Sequence, residues 1–549
     1  MEVVTMTNGS SQPTPGGLSP GARRAAILLV VVLAVGLRLY GMTGNITFDS
    51  VVYAQDAYNL LHGTFNLATD SWYSHRLPVF VPVALFYAVL GVGNLSTNLW
   101  PMILSVLQVL AVLWVGRRLF GAGTAILAAA FMAMIPLDVI YAGVLAPDAI
   151  LAALLTFSAA FWILGLEGRD KPSWLYLVVS GAFCALAGDA RAYALFIAVF
   201  FAGHALVRRI ALRALLWWVL GFALVIVPLV AVYARVTGDP LVPIRAMAAF
   251  YGEAEHGQGA GLLAYPLLVL KPGSFTGLFA LFIAAAGVWA LARRTRQRWI
   301  LLGWIAPILL YLQFGSMSLT SYVPVFKRVR FLTPLMAPGA LLLASALPEA
   351  LALAGDRVSR TLNVRNRALM GRVLLVCAVL VLLANSLWVT RGFRGANAPV
   401  AAAFKSAVGV LKSDTHIPVL FDHWRTSIRF AYYFGFKEGS HLYEGADETK
   451  RMLKGPATAG TRLGYLKWYE DPDSIPAAFV VLEDGIMTAA RKASADDPTR
   501  SRFPAKDIPY YAEDPPKSWK LLSRFGSLSV FRTPGRFEPG AQGRQAEGR

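Results

Sequence analysis

Eleven long apolar segments constrain this chain more than any other feature of its sequence. They cover about residues 25–40, 97–116, 122–140, 148–166, 174–188, 191–207, 214–234, 274–292, 299–314, 333–348 and 373–390. The hydrocarbon core of a bilayer is about 30 Å thick, and a helix needs about 20 apolar residues to cross it. Only 15% of the 549 residues are charged, whereas soluble proteins average roughly 25%. The sequence therefore predicts a polytopic α-helical membrane protein with about 11 transmembrane helices.

The positions of the basic residues predict the orientation of these helices. With the N-terminus in the cytoplasm, the inner loops carry 18 Arg and Lys residues, and the longer outer loops carry 8. This excess on the inner side is what the positive-inside rule requires. The net charge of +19 lies in short clusters between apolar segments and not on one continuous face, so we expect no nucleic acid partner.

Composition also divides the chain into regions. We expect residues 1–24 to form a disordered cytoplasmic N-terminus and residues 25–390 to form the transmembrane domain, with a first outer loop at 41–96. The apolar run 77–92 within that loop holds two prolines, and counting it as a span would invert every later loop. We interpret it as a juxtamembrane or re-entrant helix.

Residues 391–535 have the composition of a soluble domain. Short apolar runs at 417–421 and 477–482, and an alternating run at 519–532 around Gly526, are typical of strands. By parity this region lies outside the membrane, so the sequence predicts a small outer α/β domain followed by a disordered tail at 536–549.

Acidic residues near a bilayer are costly and therefore indicate function. Asp49 precedes a run with helical spacing, so it is either the N-cap of that helix or a catalytic group. Asp138 and Asp148 lie near helix starts in the second outer loop and leave the same choice open. Asp189 and Arg191 could form a local ion pair, and the acidic cluster at 253–256 lacks the spacing of a metal motif.

Three groups of motifs, in order along residues 25–350, resemble the bacterial protein mannosyltransferase and aminoarabinose transferase family. The first comprises Arg38, Asp49, Tyr53-Ala54-Gln55, Gly63 and Arg76-Leu77-Pro78; the second runs from Pro136-Leu137-Asp138 to Ala146-Pro147-Asp148; the third is Lys327-Arg328-Val329-Arg330-Phe331-Leu332-Thr333-Pro334. The usual Asp-Glu pair of the family is Asp49-Ser50 in this chain.

The resemblance implies a GT-C fold and an inverting glycosyltransferase on the outer face of a bacterial inner membrane, with a periplasmic or extracellular C-terminal domain. The implied donor is a polyprenyl-phosphate sugar, the acceptor is a hydroxyl or phosphate of a glycan, lipid or protein, and membrane lipids surround the enzyme. No cofactor is assigned and no metal ligands are identified. Whether the reaction requires a divalent metal ion stays an open question.

The resemblance also implies roles for individual residues. Asp49 is expected to be the general base that takes the acceptor proton. The expected phosphate-binding cations are Arg76, Arg328, Arg330 and Lys327, and the candidates for binding the sugar or acceptor are Asp148, Asp138, Tyr53 and His75. These residue types suit the reaction because the acceptor must lose a proton and the leaving phosphate gains charge that guanidinium groups can pair with.

Other interpretations stay open at this point. Arg76 and Arg328 could anchor helix ends at lipid headgroups. A lipid or solute transporter would use the acidic residues for coupling, but it predicts paired hydropathy halves, which this sequence does not show. A non-catalytic scaffold for envelope enzymes is the third hypothesis.

Overall fold

The computed structural model describes residues 19–44, 47–69, 71–167, 172–210, 212–253, 263–270, 275–316, 322–325, 327–361, 367–414, 417, 419–422, 424–436, 463–465, 472, 475, 477–484 and 515–534. The helices are α1 Pro20–Gly41, α2 Phe48–Leu61, α3 Leu77–Leu90, α4 Asn94–Phe120, α5 Ala122–Met134, α6 Pro136–Ala142, α7 Pro147–Leu166, α8 Trp174–Ala190, α9 Ile197–Val207, α10 Leu212–Thr237, α11 Val242–Glu253, α12 Ala264–Leu270, α13 Phe279–Arg293, α14 Arg296–Phe314, α15 Met336–Thr361, α16 Arg367–Leu411 and α17 Trp424–Tyr433. Two 3₁₀ helices, Ala192–Phe196 and Val329–Leu335, precede α9 and α15.

The apolar segments fold as predicted. Each of the eleven predicted segments coincides with a helix, or with two consecutive helices. In the described part of the chain, six helices are long and apolar enough to cross a membrane, or seven when α5 and α6, which meet at 58°, count as one span. Shorter apolar helices, among them α3, α8 and α13, lie between them. The predicted polytopic helical architecture is confirmed.

Two helix ends differ from the predicted boundaries. The first helix begins at Pro20 and not at residue 25, because the Ser19 side chain caps it by accepting from the Ala22 amide at 3.2 Å. The last long helix, α16, continues past residue 390 to Leu411 without a break. The alanine-rich run at 401–403 favours helix although it is less apolar, so the change in composition marked the end of the apolar run and not the end of the helix.

The segment 41–96, predicted to be the first outer loop, contains two complete helices, α2 and α3. Arg76 is the N-cap of α3, and Pro78 lies in its first turn. The amides of a first turn have no hydrogen-bond partner within the helix, so a proline there costs no hydrogen bond. Helix α3 buries Val79 and Phe80 and packs between α2 and α4. The predicted short helix within 77–92 is therefore present, and it fixes the position of α2.

The C-terminal region contains a five-stranded sheet with the order β2-β1-β3-β5-β4. Its strands are β1 Val419–Phe421, β2 Leu463–Tyr465, β3 Phe479–Glu483, β4 Lys520–Phe525 and β5 Leu528–Arg532. The first three strands are parallel, while β5 runs antiparallel to β3 and β4. The turn between β4 and β5 holds Gly526 at φ 57°, a backbone conformation that favours glycine. The predicted strands and hairpin are confirmed, and α17 packs against α2.

Candidate active site

Asp49 lies in the first turn of α2 but does not cap the helix. The N-cap is Thr47, whose hydroxyl accepts from the Ser50 amide at 3.3 Å. Capping was the alternative explanation for Asp49, and it is wrong because Thr47 already fills that position. The carboxylate of Asp49 is therefore available for contacts outside its own helix.

The two carboxylate oxygens of Asp49 bind partners from distant parts of the chain. Oδ1 accepts from the Tyr73 hydroxyl at 2.9 Å, and Oδ2 accepts from Arg330 at 3.1 Å. Burial by itself raises the pKa of Asp49, but the charge of Arg330 and the Tyr73 hydrogen bond outweigh it and lower the pKa overall. The Asp49 side chain is still 25% exposed, so an ionised carboxylate is accessible at neutral pH.

A second carboxylate continues this network. Arg330, on the 3₁₀ helix before α15, also faces Asp148, with its Nε 3.8 Å from Oδ2. Asp148 is fully buried and accepts from Arg191 at 3.3 Å. The N-cap of α7 is Ala146, so Asp148 is not a cap. The contacts thus link Asp49 to Arg330, Arg330 to Asp148 and Asp148 to Arg191, so that acidic and basic groups alternate.

Arg191 is a site residue that the sequence reasoning missed. It was expected to pair with Asp189 in a helix break. Helix α8 does end at Ala190, and Arg191 has extended backbone, which turns its guanidinium to Asp148 and places it 4.7 Å from the Phe331 ring centre. An arginine directly after a helix break was the available signal.

Arg76 and Tyr53 join the site through aromatic contacts. Arg76 is buried, donates to the Tyr53 hydroxyl at 2.8 Å and lies 3.9 Å from the Trp72 ring centre. Tyr53 in turn packs edge-on against Tyr73 at 5.4 Å. Because Tyr73 binds Asp49, Arg76 is connected to the carboxylate by two tyrosine rings. His75 is adjacent in sequence, but its Nε2 lies 2.9 Å from the Thr69 carbonyl oxygen.

Two of the predicted phosphate-binding residues are placed differently from Arg330. The Lys327 ammonium donates to the carbonyls of Leu312 and Gln313 at the end of α14, so it caps a helix terminus instead of facing Asp49. The Arg328 side chain is exposed, and its backbone carbonyl accepts from Tyr265 at 3.4 Å.

Asp138 also lies apart from this network. It forms a fully buried ion pair with Arg38 of α1 and accepts from Ser105 of α4. A buried carboxylate requires a cation, and here Arg38 supplies it. The position of Asp138 is therefore explained by helix packing and not by sugar binding.

Within the described ranges, no group of three or more His, Cys, Asp or Glu side chains could hold a metal ion. Of the acidic cluster at 253–256, only Glu253, the last residue of α11, lies inside the described residues.

Several known proteins are similar to this chain in sequence or in structure. A family model described as dolichyl-phosphate-mannose-protein mannosyltransferase matches residues 77–233. The structure is similar to that of ArnT from Cupriavidus metallidurans bound to undecaprenyl phosphate, with 16% identity over 92% of this chain and 98% of that chain and a TM-score of 0.58. The apo form of the same protein gives a TM-score of 0.57. The chain has the GT-C glycosyltransferase fold.

A second solved structure supports the same fold. The Archaeoglobus fulgidus oligosaccharyltransferase, tethered with an acceptor peptide, aligns at 15% identity over 92% of this chain and 74% of that chain, with a TM-score of 0.50. No curated protein matches the chain in sequence. The fold class predicted from the motifs is confirmed, and the matched family model agrees with the family that the motifs resemble.

The matched family model covers only part of the site. Residues 77–233 include Asp148 and Arg191, whereas Asp49, Tyr73, Arg76 and Arg330 lie outside them. The assignment of these residues therefore rests on the geometry described above.

Proposed function

We propose that this protein is an inverting glycosyltransferase that moves a sugar from a polyprenyl-phosphate carrier to a hydroxyl or phosphate acceptor on the outer face of a bacterial inner membrane. The observation that carries this proposal is the placement of Asp49 between Tyr73 and Arg330. A general base needs an ionised, accessible carboxylate, and a leaving phosphate needs a cation close to that base. Both requirements are met at this position.

Arg330 links base and leaving group in this mechanism. In the structure it is shared between Asp49 at 3.1 Å and Asp148 at 3.8 Å. A lipid phosphate competes for the same guanidinium because planar N–H donors match phosphate oxygens well. When Arg330 turns to the phosphate, Asp49 keeps its bond to Tyr73 and gains a free oxygen for the acceptor hydroxyl. Attack by that hydroxyl on the anomeric carbon, opposite the departing phosphate, inverts the configuration in one displacement.

In this proposal Asp148 positions the cations that bind the phosphate. The sequence predicts a different role, contact with the sugar or the acceptor. Its carboxylate is fully buried and holds Arg191, with Arg330 on its other side. Long arginine side chains lose much conformational freedom when they bind a phosphate. Asp148 reduces that cost because it holds both guanidinium groups before the donor arrives.

Arg76 is proposed as a further phosphate-binding cation. It is buried at the start of α3 and fixed by the Tyr53 hydroxyl and the Trp72 ring. A cation held in this way is pre-oriented, and the edge-on contact between Tyr53 and Tyr73 keeps it on the side of α2 that carries Asp49.

The opposite end of α7 supports the proposed sidedness. Asp148 begins this helix and Glu167 follows its last residue, so the two lie about 30 Å apart. Glu167 is surrounded by Arg296 at 2.5 Å, His204 at 3.3 Å and Arg208 at 3.6 Å. Burial raises the pKa of Glu167, but the His204 hydrogen bond and the two arginine charges outweigh it and lower the pKa to about 2. A basic cluster at this end is what the cytoplasmic side should carry.

The direct test uses the full-length protein in nanodiscs. Undecaprenyl phosphate should bind to the protein. Sugars linked to undecaprenyl phosphate should be released from it only when an acceptor fraction is added. A protein that neither binds undecaprenyl phosphate nor releases it from any lipid-linked sugar would overturn the proposal. A reporter fused after residue 549 should be active only outside the cytoplasm, and cytoplasmic activity would reverse the sidedness.

A further inference from the structure

A cavity of about 800 Å³ lies between the first outer loop and the C-terminal domain. Side chains that line it include Tyr58, His62, Lys405, Lys412, Tyr432 and Tyr433. We call it the junction cavity. Its volume is within the range of roughly 300–1,000 Å³ that is typical of small-ligand sites.

The junction cavity is separate from the candidate active site. Asp49 and Tyr58 are both on α2, nine residues apart. At about 100° per residue this spacing places them on opposite faces of the helix, roughly 14 Å apart along its axis. A ligand in the cavity therefore lies behind α2 and does not contact the Asp49 network.

The charge of the junction cavity is positive. Lys405 lies two turns before the end of α16, and Lys412 directly follows its last residue, Leu411. A spacing of seven residues is about two helical turns, so both side chains project from the same side. Both side chains are exposed, and neither forms an ion pair within the described part of the chain. None of the cavity's described lining residues is acidic. The Lys412 ammonium lies 5.7 Å from the Phe434 ring centre. Among the described residues, the positive charge of both ammonium groups is therefore not paired with an acidic side chain.

The remaining walls are aromatic with polar tips. Tyr58 stacks on His62 at 4.0 Å, and the Tyr432 hydroxyl donates to Asn94 at 3.0 Å. Tyr433 stacks against Phe404 at 5.9 Å. Such side chains offer a flat apolar face together with hydrogen-bonding groups, which matches sugar rings, whose C–H faces are apolar and whose edges carry hydroxyls.

We propose that the junction cavity is a binding site for an anionic oligosaccharide. Its phosphate or carboxylate groups pair with Lys405 and Lys412, and its sugar rings lie against Tyr58 and Tyr433. Charge selects an acidic over a neutral glycan, while the aromatic rings select a glycan over a simple anion. This site is independent of the chemistry proposed for Asp49.

The test uses full-length protein in nanodiscs of phosphatidylcholine, with tetragalacturonate as the acidic probe and maltotetraose as the neutral one. Tetragalacturonate should bind at least ten-fold more tightly than maltotetraose. The double variant Lys405→Gln/Lys412→Gln should lose at least ten-fold in affinity for the acidic probe, and Lys405→Arg/Lys412→Arg should retain it.

A matched control removes the same charge elsewhere. Lys517 and Lys520 are exposed and do not line the cavity, so Lys517→Gln/Lys520→Gln should bind as the wild type does. Tyr58→Leu should weaken the binding of both glycans because it removes a stacking face.

Four outcomes would overturn the proposal. They are no binding of either probe, equal affinity for the acidic and neutral probes, an equal loss in the control variant, and loss of binding when phosphatidylglycerol is added to the nanodisc. The last would show that a lipid headgroup, and not a glycan, occupies the site.

Discussion

Substitution of Asp49 by Asn tests the proposed general base, because it removes the charge of the carboxylate and keeps its shape. The amide has the shape of the carboxylate, and its oxygen can still accept from the Tyr73 hydroxyl, which lies at 2.9 Å in the wild type. What disappears is the negative charge that pairs with Arg330 at 3.1 Å and that receives the acceptor proton in the proposed mechanism. Arg330 keeps Asp148 as a partner, so the local fold should survive.

The expected magnitudes differ for catalysis and for binding. Loss of a positioned general base lowers a rate by about 10²- to 10⁴-fold, which corresponds to about 3–5 kcal/mol of activation free energy. Donor affinity should not fall, because the carboxylate that competes with phosphate for Arg330 has gone. Asp49→Asn should therefore lower kcat and leave the KM for the lipid-linked donor unchanged or reduced.

The assay measures acceptor-dependent release of undecaprenyl phosphate from its lipid-linked sugars, and binding of undecaprenyl phosphate is measured separately. Asp484→Asn is the matched control, because this residue also pairs with an arginine, Arg524 at 3.3 Å, but directly follows β3 of the C-terminal sheet. It should retain wild-type kcat. A loss in Asp49→Asn of less than ten-fold, or a donor KM that rises as kcat falls, would refute the reasoning.

Three further predictions concern charge. Arg330→Ala should weaken undecaprenyl phosphate binding at least ten-fold, whereas Arg328→Ala should change it less than three-fold because that side chain is exposed; equal losses in a binding assay would contradict this. Arg38→Met leaves the Asp138 charge buried without its cation and should cost about 3–5 kcal/mol, seen as a lower thermal unfolding temperature in detergent; an unchanged temperature would contradict the ion pair's role. Burial raises the pKa of Asp56 to about 7, despite a hydrogen bond from Ser74. Stability should therefore fall by roughly 2–3 kcal/mol as pH rises from 5 to 8, and unfolding scans of Asp56→Asn should lack this dependence.

The transmembrane architecture was predictable because it depends on local composition. A helix in a bilayer satisfies its own backbone hydrogen bonds, so apolar length alone locates α1, α4 and α7. Helix ends were less predictable, because α16 continues to Leu411 on alanine propensity after its apolar run has ended. The short helices α2 and α3 were expected from spacing and prolines.

The candidate site was only partly predictable because its contacts are distant in sequence. Asp49 and Arg330 are 281 residues apart, and only the order of the motifs suggested that they meet. Tyr73, which binds Asp49, carried no signal beyond its position three residues before Arg76. Lys327 and Arg328 belong to the same basic run as Arg330, but they precede the 3₁₀ helix, whereas Arg330 lies in its first turn and contacts Asp49.

The departure from the family's Asp-Glu pair affects this site less than the sequence alone indicates. Ser50 occupies the position of the Glu, and its side chain is fully buried, where its hydroxyl contacts that of Thr47. It therefore reinforces the N-cap of α2 and does not face the Asp49 network. Since the cap fixes the first turn of α2, Ser50 helps to hold Asp49 in place between Tyr73 and Arg330, and these two residues keep their geometry without a second carboxylate.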